Sequence, residues 1–416
     1  MRRGGNCVMA GRGKSSRETL GIYLHIPFCR SKCDYCDFYS LAGQESRMDG
    51  YQRALLAHLK ETAFAAKDFS VDTVYFGGGT PSFYGEKRLR ELLAAVKKNY
   101  KVTKDAEVTL EANPDSVEYT ALRALRKAGF NRISLGFQSA FRAELEAVRR
   151  PHTARQGDEA VAAARKAGFS NLSLDLIYGL PAQTVSTWRK TVEHALSLDP
   201  EHLSCYGLKV EEGTPLAARV TAGRERLPSD DTQAEMYLWT VGRLNQAGYR
   251  QYEISNFAKP GFTSRHNLRY WMTQPYIGFG PGAHSDFGGR RYSWIQDLDG
   301  YIKGVLEGGP LLDSEDLIPQ EERGSEYLML RLRTALGIEE WEYRGSYFMD
   351  FSPIEERLQQ FAARGWAEKT SQGRWRLTPK GLLVSNRLIG ELLERQGRSR
   401  LSELLPRVQE RFQGRE

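Results

Sequence analysis

Short apolar segments alternate with amphipathic segments from residue 21 onward. The apolar segments have the length and composition of buried strands, and the segments between them have the apolar spacing of helices. The predicted strands are IYLHI (22–26), TVYFG (73–77), EVTLEA (107–112), RISLGF (132–137), NLSLDLIYG (171–179) and HLSCYGL (202–208). The predicted helices are 50–65, 86–98, 116–128, 154–167 and 185–197. Strand and helix therefore repeat about every 30 residues, which is typical of βα units.

The predicted strands are apolar along most of their length, which is typical of a parallel sheet covered on both faces. Six such units predict an α/β fold with a partial (βα)₆ barrel, and QYEIS (251–255) is a candidate for a further strand. A complete eight-stranded barrel is the alternative. In either barrel, we expect the functional groups at the C-terminal ends of the strands and on the loops that follow.

Three other regions complete the chain. Residues 1–20 are rich in Arg, Gly and Ser and lack the apolar core of a signal peptide, so we expect a disordered tail. The stretch 261–295 is dense in Gly, His and aromatic residues, and we expect a structured loop region that closes over a pocket. The pattern then predicts a barrel domain (21–300) and a mostly helical, winged-helix-like C-terminal domain (301–416).

Composition narrows the class of protein. The chain is 40% hydrophobic and 27% charged, and it has no run of 18 apolar residues. The net charge of +7 is modest for 416 residues and is compatible with peripheral contact with an acidic membrane surface. The predicted helix 354–363 has no basic stripe, so we expect no nucleic-acid partner. Clustered cysteines without an export signal predict a cytoplasmic, reducing environment.

Three of the five cysteines lie within eight residues, in CRSKCDYC. Cys29, Cys33 and Cys36 have C-x₃-C-x₂-C spacing directly after the first predicted strand. Three thiolates on one tight loop can bind three irons of a cubane and leave the fourth iron open. A Cys₃His zinc site completed by His25 and unliganded core cysteines are the alternatives. Cys205, in HLSCYGL, is predicted to be a buried strand residue.

Further candidate residues follow the later strands. GGGTP (77–81) lets the backbone approach a ligand closely, and it lacks the GK[ST] ending of a Walker loop. Glu111, Gln138 and Asp175 lie near strand ends, where a buried carboxylate is costly unless it is paired. Each is therefore either a bonded core group or a ligand contact, and the barrel predicts that all three lie at one mouth. Arg150 could offer a cation to a carboxylate.

These motifs resemble those of the radical SAM superfamily, whose signature is C-x₃-C-x₂-C with an aromatic residue before the last cysteine. More closely, YLHIPFCRSKCDYC, YFGGGTPS, EANPDS, LGFQS and LDLIYGLP resemble the oxygen-independent coproporphyrinogen III oxidases and their relatives. The resemblance runs from about residue 21 to the end of the chain. It implies a [4Fe–4S] cluster on Cys29, Cys33 and Cys36, with S-adenosylmethionine as the second cofactor. The implied cofactor contacts are Tyr23, Tyr35, Gly78, Gly79, Thr80, Glu111, Gln138, Arg150 and Asp175.

Two departures separate this sequence from the oxidases. The oxidases have a fourth cysteine where this chain has Phe38, and they have a longer N-terminal extension that helps to enclose the porphyrinogen. This chain has HNLRYW (266–271) instead, which resembles the HNxxYW motif of the heme chaperones in the same group. Imidazole is a usual axial ligand of heme iron, and aromatic rings form a flat apolar wall. We therefore expect His266, Tyr270 and Trp271 to contact heme.

The resemblance implies a heme chaperone that delivers heme to hemoproteins of the respiratory chain. The alternatives are an oxygen-independent coproporphyrinogen III dehydrogenase and a radical SAM enzyme with another substrate. Phe38 and HNLRYW favour the chaperone, so we expect no coproporphyrinogen III dehydrogenase activity and assign no catalytic residue. The expected partners are heme, the recipient hemoproteins and an electron donor such as a flavodoxin or ferredoxin, and a homodimer is left open.

Overall fold

The computed structural model describes residues 18–397. Most of the predicted tail lies outside these residues, but Thr19 and Leu20, which we assigned to it, begin the first strand. The strands are β1 (Thr19–Ile26), β2 (Phe28–Cys29), β3 (Leu41–Ala42), β4 (Ser70–Gly78), β5 (Val102–Ala112), β6 (Arg132–Gln138), β7 (Leu172–Tyr178), β8 (His202–Gly207), β9 (Arg250–Gln251), β10 (Asn256–Ala258), β11 (Tyr276–Phe279), β12 (His284–Phe287), β13 (Arg290–Trp294), β14 (Leu312–Leu317), β15 (Ala367–Lys369) and β16 (Trp375–Leu377).

Helices connect the strands and cover the sheet. The helices include α1 (Met48–Thr62), α2 (Pro81–Tyr84), α3 (Glu86–Asn99), α4 (Tyr119–Ala128), α5 (Arg142–Ala147), α6 (Ala154–Ala167), α7 (Val185–Ser197), α8 (Pro215–Thr221), α9 (Asp230–Gln246), α10 (Arg265–Trp271), α11 (Leu298–Glu307), α12 (Gln320–Arg331), α13 (Glu340–Tyr347), α14 (Ser352–Ala363) and α15 (Pro379–Leu383). Residues 385–397 are helical as well. Each of the five helices predicted between strands is present, with ends within three residues of the prediction.

The main sheet has twelve strands in the order β14-β13-β12-β11-β1-β4-β5-β6-β7-β8-β10-β9. The six predicted strands are β1 and β4 to β8, and they run parallel to one another. This arrangement confirms the partial (βα)₆ fold. The eight-stranded alternative is wrong, because β9 and β10 form antiparallel pairs at the edge. The candidate strand QYEIS (251–255) is also wrong, because only Gln251 lies in a strand and the other four residues connect β9 to β10.

The two faces of the parallel sheet differ in polarity. On β6, β7 and β8, alternate residues are polar and point to one face, as side chains two apart must do in a strand. These polar residues are Arg132, Ser134, Ser173, Asp175, His202 and Ser204. The residues between them, such as Ile133, Leu174 and Leu203, belong to the apolar core beneath the helices. The inner face is therefore polar enough to line a ligand site.

The stretch 261–295 is more regular than its sequence predicted. It contains α10 and the antiparallel strands β12 and β13 beside β11, which itself pairs in parallel with β1. The prediction of a loop region was wrong because each element is shorter than the window in which periodicity can be recognised. Glycines at tight turns, such as Gly280 with φ 103° and Gly282 with φ 74°, separate the elements.

Helix α10 lies across the amino ends of the strands. The backbone amide of His266 donates over 3.0 Å to Glu107 of β5, which is paired with Thr73 of β4. Arg269 forms an ion pair with Asp72 of β4 and donates to the carbonyl of Thr19 at the start of β1. The HNLRYW helix therefore closes the end of the barrel opposite to the cysteine loop, which follows the carboxyl end of β1.

The C-terminal helices form a second apolar core. That core includes Tyr327, Phe361, Trp375 and Leu388, whereas α11 packs with the first core. The change from the first core to the second therefore lies between β14 and α12, and the domain boundary at residue 300 stays a prediction. The helices and the β15–β16 hairpin have the predicted helix–hairpin–helix outline. Within residues 18–397, no helix is long and apolar enough to span a membrane.

Candidate functional site at the carboxyl ends of the strands

The three clustered cysteines share one loop at the carboxyl end of β1. Cys29 and Cys33 are buried and Cys36 is half-buried. The Cys36 amide donates to the Cys33 carbonyl over 3.2 Å, which closes a tight turn between the last two cysteines. Burial raises the pKa of Cys29, and the nearby Cys36 and Cys33 thiols add to the rise. The three thiols therefore face one another closely enough to interact.

The cysteine loop offers three thiols as metal ligands. Among residues 18–397, no three His, Cys, Asp or Glu side chains converge as ligands of one ion. A cubane makes a different demand, because each thiolate binds its own iron. His25, the fourth ligand of the zinc alternative, is engaged at both ring nitrogens, with the Tyr39 carbonyl at 2.7 Å and the Tyr23 hydroxyl at 3.1 Å. The donor set thus fits a [4Fe–4S] cluster.

The glycine-rich turn packs directly on the cysteine loop. A Cβ atom on Gly79 would lie 2.9 Å from the carbonyl oxygens of Ile26 and Phe28 and 3.0 Å from the Cys29 Sγ. Gly78 has φ 112°, and a Cβ there would lie 2.6 Å from the His25 ring. Both positions therefore require glycine, and the turn leaves its backbone exposed to the space beside the cysteines.

Glu111 lies next to this turn. Its Oε1 accepts a hydrogen bond from the Tyr75 hydroxyl over 2.6 Å, and its Oε2 accepts one from the Gly78 amide over 3.2 Å. Burial raises the pKa of Glu111 from 4.5 to about 7, and Asp175 adds to the rise, although the two hydrogen bonds oppose it. Glu111 is therefore a carboxyl group whose proton is exchangeable near neutral pH.

Asp175 faces the same space from β7. Ser134 Oγ donates to both carboxylate oxygens over 3.0 Å, and Ser173 lies 3.4 Å from one of them. Burial raises the pKa of Asp175, although the hydrogen bonds from Ser204 and Ser134 oppose it. The two acids, which the sequence predicted at one mouth, thus interact electrostatically.

Gln138 and Arg150 leave polar atoms without partners near the cysteines. Gln138 has a left-handed backbone, with φ 63°, and its buried Oε1 has no hydrogen-bond partner within the described structure. Arg150 donates from Nη1 to the Cys33 Sγ over 3.3 Å, while its buried Nε lacks a partner there. Strained backbone and unpartnered buried atoms are typical of ligand sites.

Thr80 and Tyr35 support the cysteine loop. The Thr80 hydroxyl donates to the Cys29 Sγ over 3.3 Å and accepts from Asn113 Nδ2 over 3.1 Å. Tyr35 packs on Val148 and Ile177, and burial raises its pKa. Sequence reasoning missed Asn113, although its place in EANPDS, two residues after Glu111, was an available signal.

A cavity of about 300 Å³ extends from this mouth into the barrel. It is lined by four predicted cofactor contacts and three residues of HNLRYW, namely Tyr23, Gly78, Glu111, Asp175, His266, Asn267 and Tyr270. Tyr35, Gly79, Thr80, Gln138 and Arg150 lie outside its lining, around the cysteine loop. The sequence analysis missed several polar residues of the wall, whose alternation with apolar residues along the strands was the signal: Tyr75, Arg132, Ser134, His202, Ser204, Tyr252 and Asn256.

Arg132 has an unpartnered polar atom at the cavity. The residue is 2% exposed and lines the cavity, and its buried Nε has no hydrogen-bond partner within residues 18–397. Burial opposes its charge, but Glu107 and Asp175 hold its pKa above the usual value. A buried guanidinium with a free donor is available to an anionic group that enters the cavity.

The HNLRYW side chains do not form one surface. Thr73 Oγ1 lies 2.8 Å from His266 Nδ1, and the Tyr270 hydroxyl lies 2.8 Å from His266 Nε2, so both ring nitrogens are engaged. Burial lowers the pKa of His266 to about 3, which keeps the ring neutral. Trp271 lines a separate cavity of about 600 Å³, with Tyr237 and other residues.

Phe38 projects from the cysteine loop into solvent. Its side chain is 66% exposed, and it lines both the central cavity and a neighbouring one of about 410 Å³. Tyr23 and Tyr270 also line both cavities, so the two spaces are adjacent. The position that holds a cysteine in the oxidases is therefore an apolar lip in this chain.

The fold and the cysteine loop define a radical SAM protein. The model of the radical SAM superfamily matches residues 23–195. The solved coproporphyrinogen III oxidase (HemN) of Escherichia coli, described as a radical SAM enzyme, has a similar fold with a TM-score of 0.78. It is 23% identical in sequence, and the match covers 90% of each chain. Membership of the superfamily implies a [4Fe–4S] cluster and S-adenosylmethionine as cofactors.

Two curated relatives are more similar in sequence. The heme chaperone HemW of Bacillus subtilis is 36% identical over 374 residues, which cover 89% of this chain and 98% of that protein. The mitochondrial radical S-adenosyl methionine domain-containing protein 1 of Bos taurus is 34% identical over 407 residues, which cover 96% of this chain and 90% of that protein. The chain therefore belongs to the HemW family of radical SAM proteins.

Proposed function

We propose that this protein is a heme chaperone, which binds heme and passes it to hemoproteins of the respiratory chain. The observation that carries the proposal is Phe38, whose exposed ring forms the lip of two adjacent cavities. An apolar macrocycle placed against this lip would remove the ring from water, which is favourable. The name of the Bacillus subtilis relative supports the same function.

Cys29, Cys33 and Cys36 would hold the [4Fe–4S] cluster in this proposal, with S-adenosylmethionine bound beside it. When bound, the cluster would supply an electron for reductive cleavage of the sulfonium. Arg150 offers a guanidinium to the cofactor carboxylate, and Glu111 accepts hydrogen bonds. The other proposed contacts are Tyr23, Tyr35, Gly78, Gly79, Thr80, Gln138 and Asp175.

The residues of HNLRYW have different tasks in this proposal, and His266 acts only through Tyr270. Tyr270 lines both cavities and packs against the macrocycle. His266 holds the Tyr270 hydroxyl through its Nε2 and so sets the direction of that ring. Trp271 offers an aromatic wall in the separate cavity beside Tyr237, where it reaches a second part of the bound molecule or of its recipient.

We propose the cytoplasm as the compartment, since three thiols on one loop require reducing conditions. A flavodoxin or ferredoxin would reduce the cluster there. A homodimer and a peripheral contact with an acidic membrane surface are further predictions.

The test is a hemin titration of anaerobically reconstituted protein, beside an assay with coproporphyrinogen III. We expect one heme per chain, weaker binding in Phe38→Ser, and unchanged binding in Phe64→Ser, whose ring is 75% exposed on another surface. We expect no protoporphyrinogen IX. Failure to bind heme would overturn the proposal, and robust turnover of coproporphyrinogen III would favour the dehydrogenase.

A further inference from the structure

One histidine of this chain has a free, exposed ring. All seven histidines lie within residues 18–397. Six have at least one ring nitrogen within hydrogen-bond distance of a partner: His25, His58, His152, His194, His202 and His266. His284, at the start of β12, is exposed, and its ring makes no hydrogen bond, ion pair or ring contact with any described residue.

The ring of His284 lies in the wall of the 410 Å³ cavity beside the cysteine loop. Aromatic side chains provide much of the remaining wall: Tyr23, Phe38, Tyr39, Tyr270 and Tyr276. The other lining residues are Gly282 and the polar residues His25, Asp37 and Gln296. A wall of aromatic rings with a small number of polar groups is typical of a site for a flat organic ligand. The cavity is adjacent to the central one, so a ligand there would lie beside the proposed cofactor site.

The backbone holds this histidine firmly although its ring is free. His284 pairs with Ser293 across the β12–β13 ladder. The preceding turn contains Gly280, where a Cβ would lie 2.7 Å from the His25 carbonyl oxygen, and so the turn packs against β1. A residue fixed on a strand presents its side chain more precisely than a residue on a mobile loop.

We infer that His284 is the axial ligand of the heme iron, with the macrocycle edge against the aromatic wall of this cavity. The inference rests on the proposed function and assigns the iron ligand within it. An imidazole nitrogen with a free lone pair can bind iron directly. His266 is 1% exposed and has both nitrogens engaged, so a macrocycle does not reach it.

An exposed ligand also suits the release of heme. Delivery exchanges the bond between iron and the His284 nitrogen for a bond between iron and a ligand of the recipient protein. The iron keeps its oxidation state in this exchange, and no further reactant is needed. Because the ring lies at the surface, the incoming ligand can approach the iron before the first bond is fully broken.

The test compares hemin complexes of the reconstituted full-length chain with those of single variants. The wild type should give one heme per chain with the Soret band of a histidine-ligated heme. His284→Ala should shift that band and weaken binding at least tenfold, and added imidazole should restore the spectrum. His194→Ala is the matched control, because His194 is also near the surface but bonded to Asp158 over 2.7 Å.

The outcomes separate the inference from the proposed function. Absence of heme binding in the wild type overturns both. Wild-type binding with an unchanged spectrum and affinity in His284→Ala overturns the ligand assignment alone. Loss of the histidine-type spectrum only in His266→Ala, with an unchanged melting temperature, assigns the ligand to His266 instead. A tyrosinate-type spectrum in the wild type also rejects His284.

Discussion

Arg150 donates a hydrogen bond from Nη1 to the Sγ of Cys33 over 3.3 Å, across 117 positions of the chain. Its Nη2 donates to Asn113 Oδ1 over 3.0 Å and to the Gly136 carbonyl over 2.9 Å. One guanidinium thus joins the cysteine loop, the segment after β5 and the strand β6. Burial alone would lower the pKa of Arg150, but Tyr35 and Cys33 raise it, so the side chain stays charged.

Replacing Arg150 tests the role of these three hydrogen bonds. Arg150→Lys keeps the charge but cannot donate in three directions, so S-adenosylmethionine should bind about tenfold more weakly, since a charge-assisted hydrogen bond is worth about 1.5 kcal/mol. Iron content should stay near that of the wild type. The measurement is anaerobic calorimetry. Arg149→Lys is the control, because Arg149 is 74% exposed, and equal affinities in the two variants would contradict the assignment.

The cysteine loop gives a second prediction. Reconstituted protein should hold about four irons per chain, because three thiolates on one loop suit a cubane with one open iron. Cys29→Ala, Cys33→Ala and Cys36→Ala should each lose the cluster. Cys205→Ala should retain it, because Cys205 is a buried residue of β8, as the sequence predicted. Stoichiometric zinc after anaerobic purification would contradict the cluster.

The pKa of Glu111 predicts a pH dependence of stability. The folded protein keeps this proton up to about pH 7, whereas the unfolded chain releases it near pH 4.5. Between these pH values the folded protein binds more protons than the unfolded chain. The free energy of unfolding therefore falls as the pH rises from 4.5 to about 7. Glu111→Gln has no such proton to release. Relative to the wild type, its free energy of unfolding should therefore rise by up to about 3 kcal/mol between pH 4.5 and pH 8.

Denaturant unfolding of both proteins at several pH values measures this difference. Glu118→Gln, at an exposed position, is the control and should follow the wild type throughout. A constant difference between Glu111→Gln and the wild type across the range would show that Glu111 titrates normally in the folded protein.

The strands and the cysteine loop could be predicted because each is a local pattern. Apolar runs of five to nine residues mark β1 and β4 to β8, and the spacing of Cys29, Cys33 and Cys36 needs no knowledge of the fold. The acids Glu111 and Asp175 could be placed together because parallel strands end on one side of a sheet.

The position of HNLRYW could not be predicted, because it depends on how the chain returns to the sheet. Glu107 and Asp72, which bind α10, lie more than 150 positions earlier in the sequence. The separation of Tyr270 from Trp271 has a simpler reason. Consecutive residues of a helix point about 100° apart, so these two rings face different cavities. Treating the segment as a loop concealed that difference.

Arg269, the fourth residue of HNLRYW, provides the last prediction. Its side chain is 2% exposed, forms an ion pair with Asp72 and donates to the Pro275 carbonyl over 3.0 Å. Gly21 makes room for it, because a Cβ there would lie 2.5 Å from the Arg269 Cδ. Arg269→Met should lower the free energy of unfolding by about 3–5 kcal/mol, because Asp72 then loses its buried partner.

Arg265→Met is the matched control, because Arg265 also pairs with Asp72, at 3.3 Å, but its side chain is 40% exposed. Its effect should stay below about 1 kcal/mol. Adding Asp72→Asn to Arg269→Met should recover part of the loss, since it removes a carboxylate that only the half-exposed Arg265 would still balance. Equal denaturation midpoints for Arg265→Met and Arg269→Met would mean that α10 is held mainly by other contacts.

Arg269→Lys keeps the positive charge of the side chain. It should nevertheless recover less than half of the lost free energy of unfolding, because an ammonium cannot reach Asp72, Thr19 and Pro275 together.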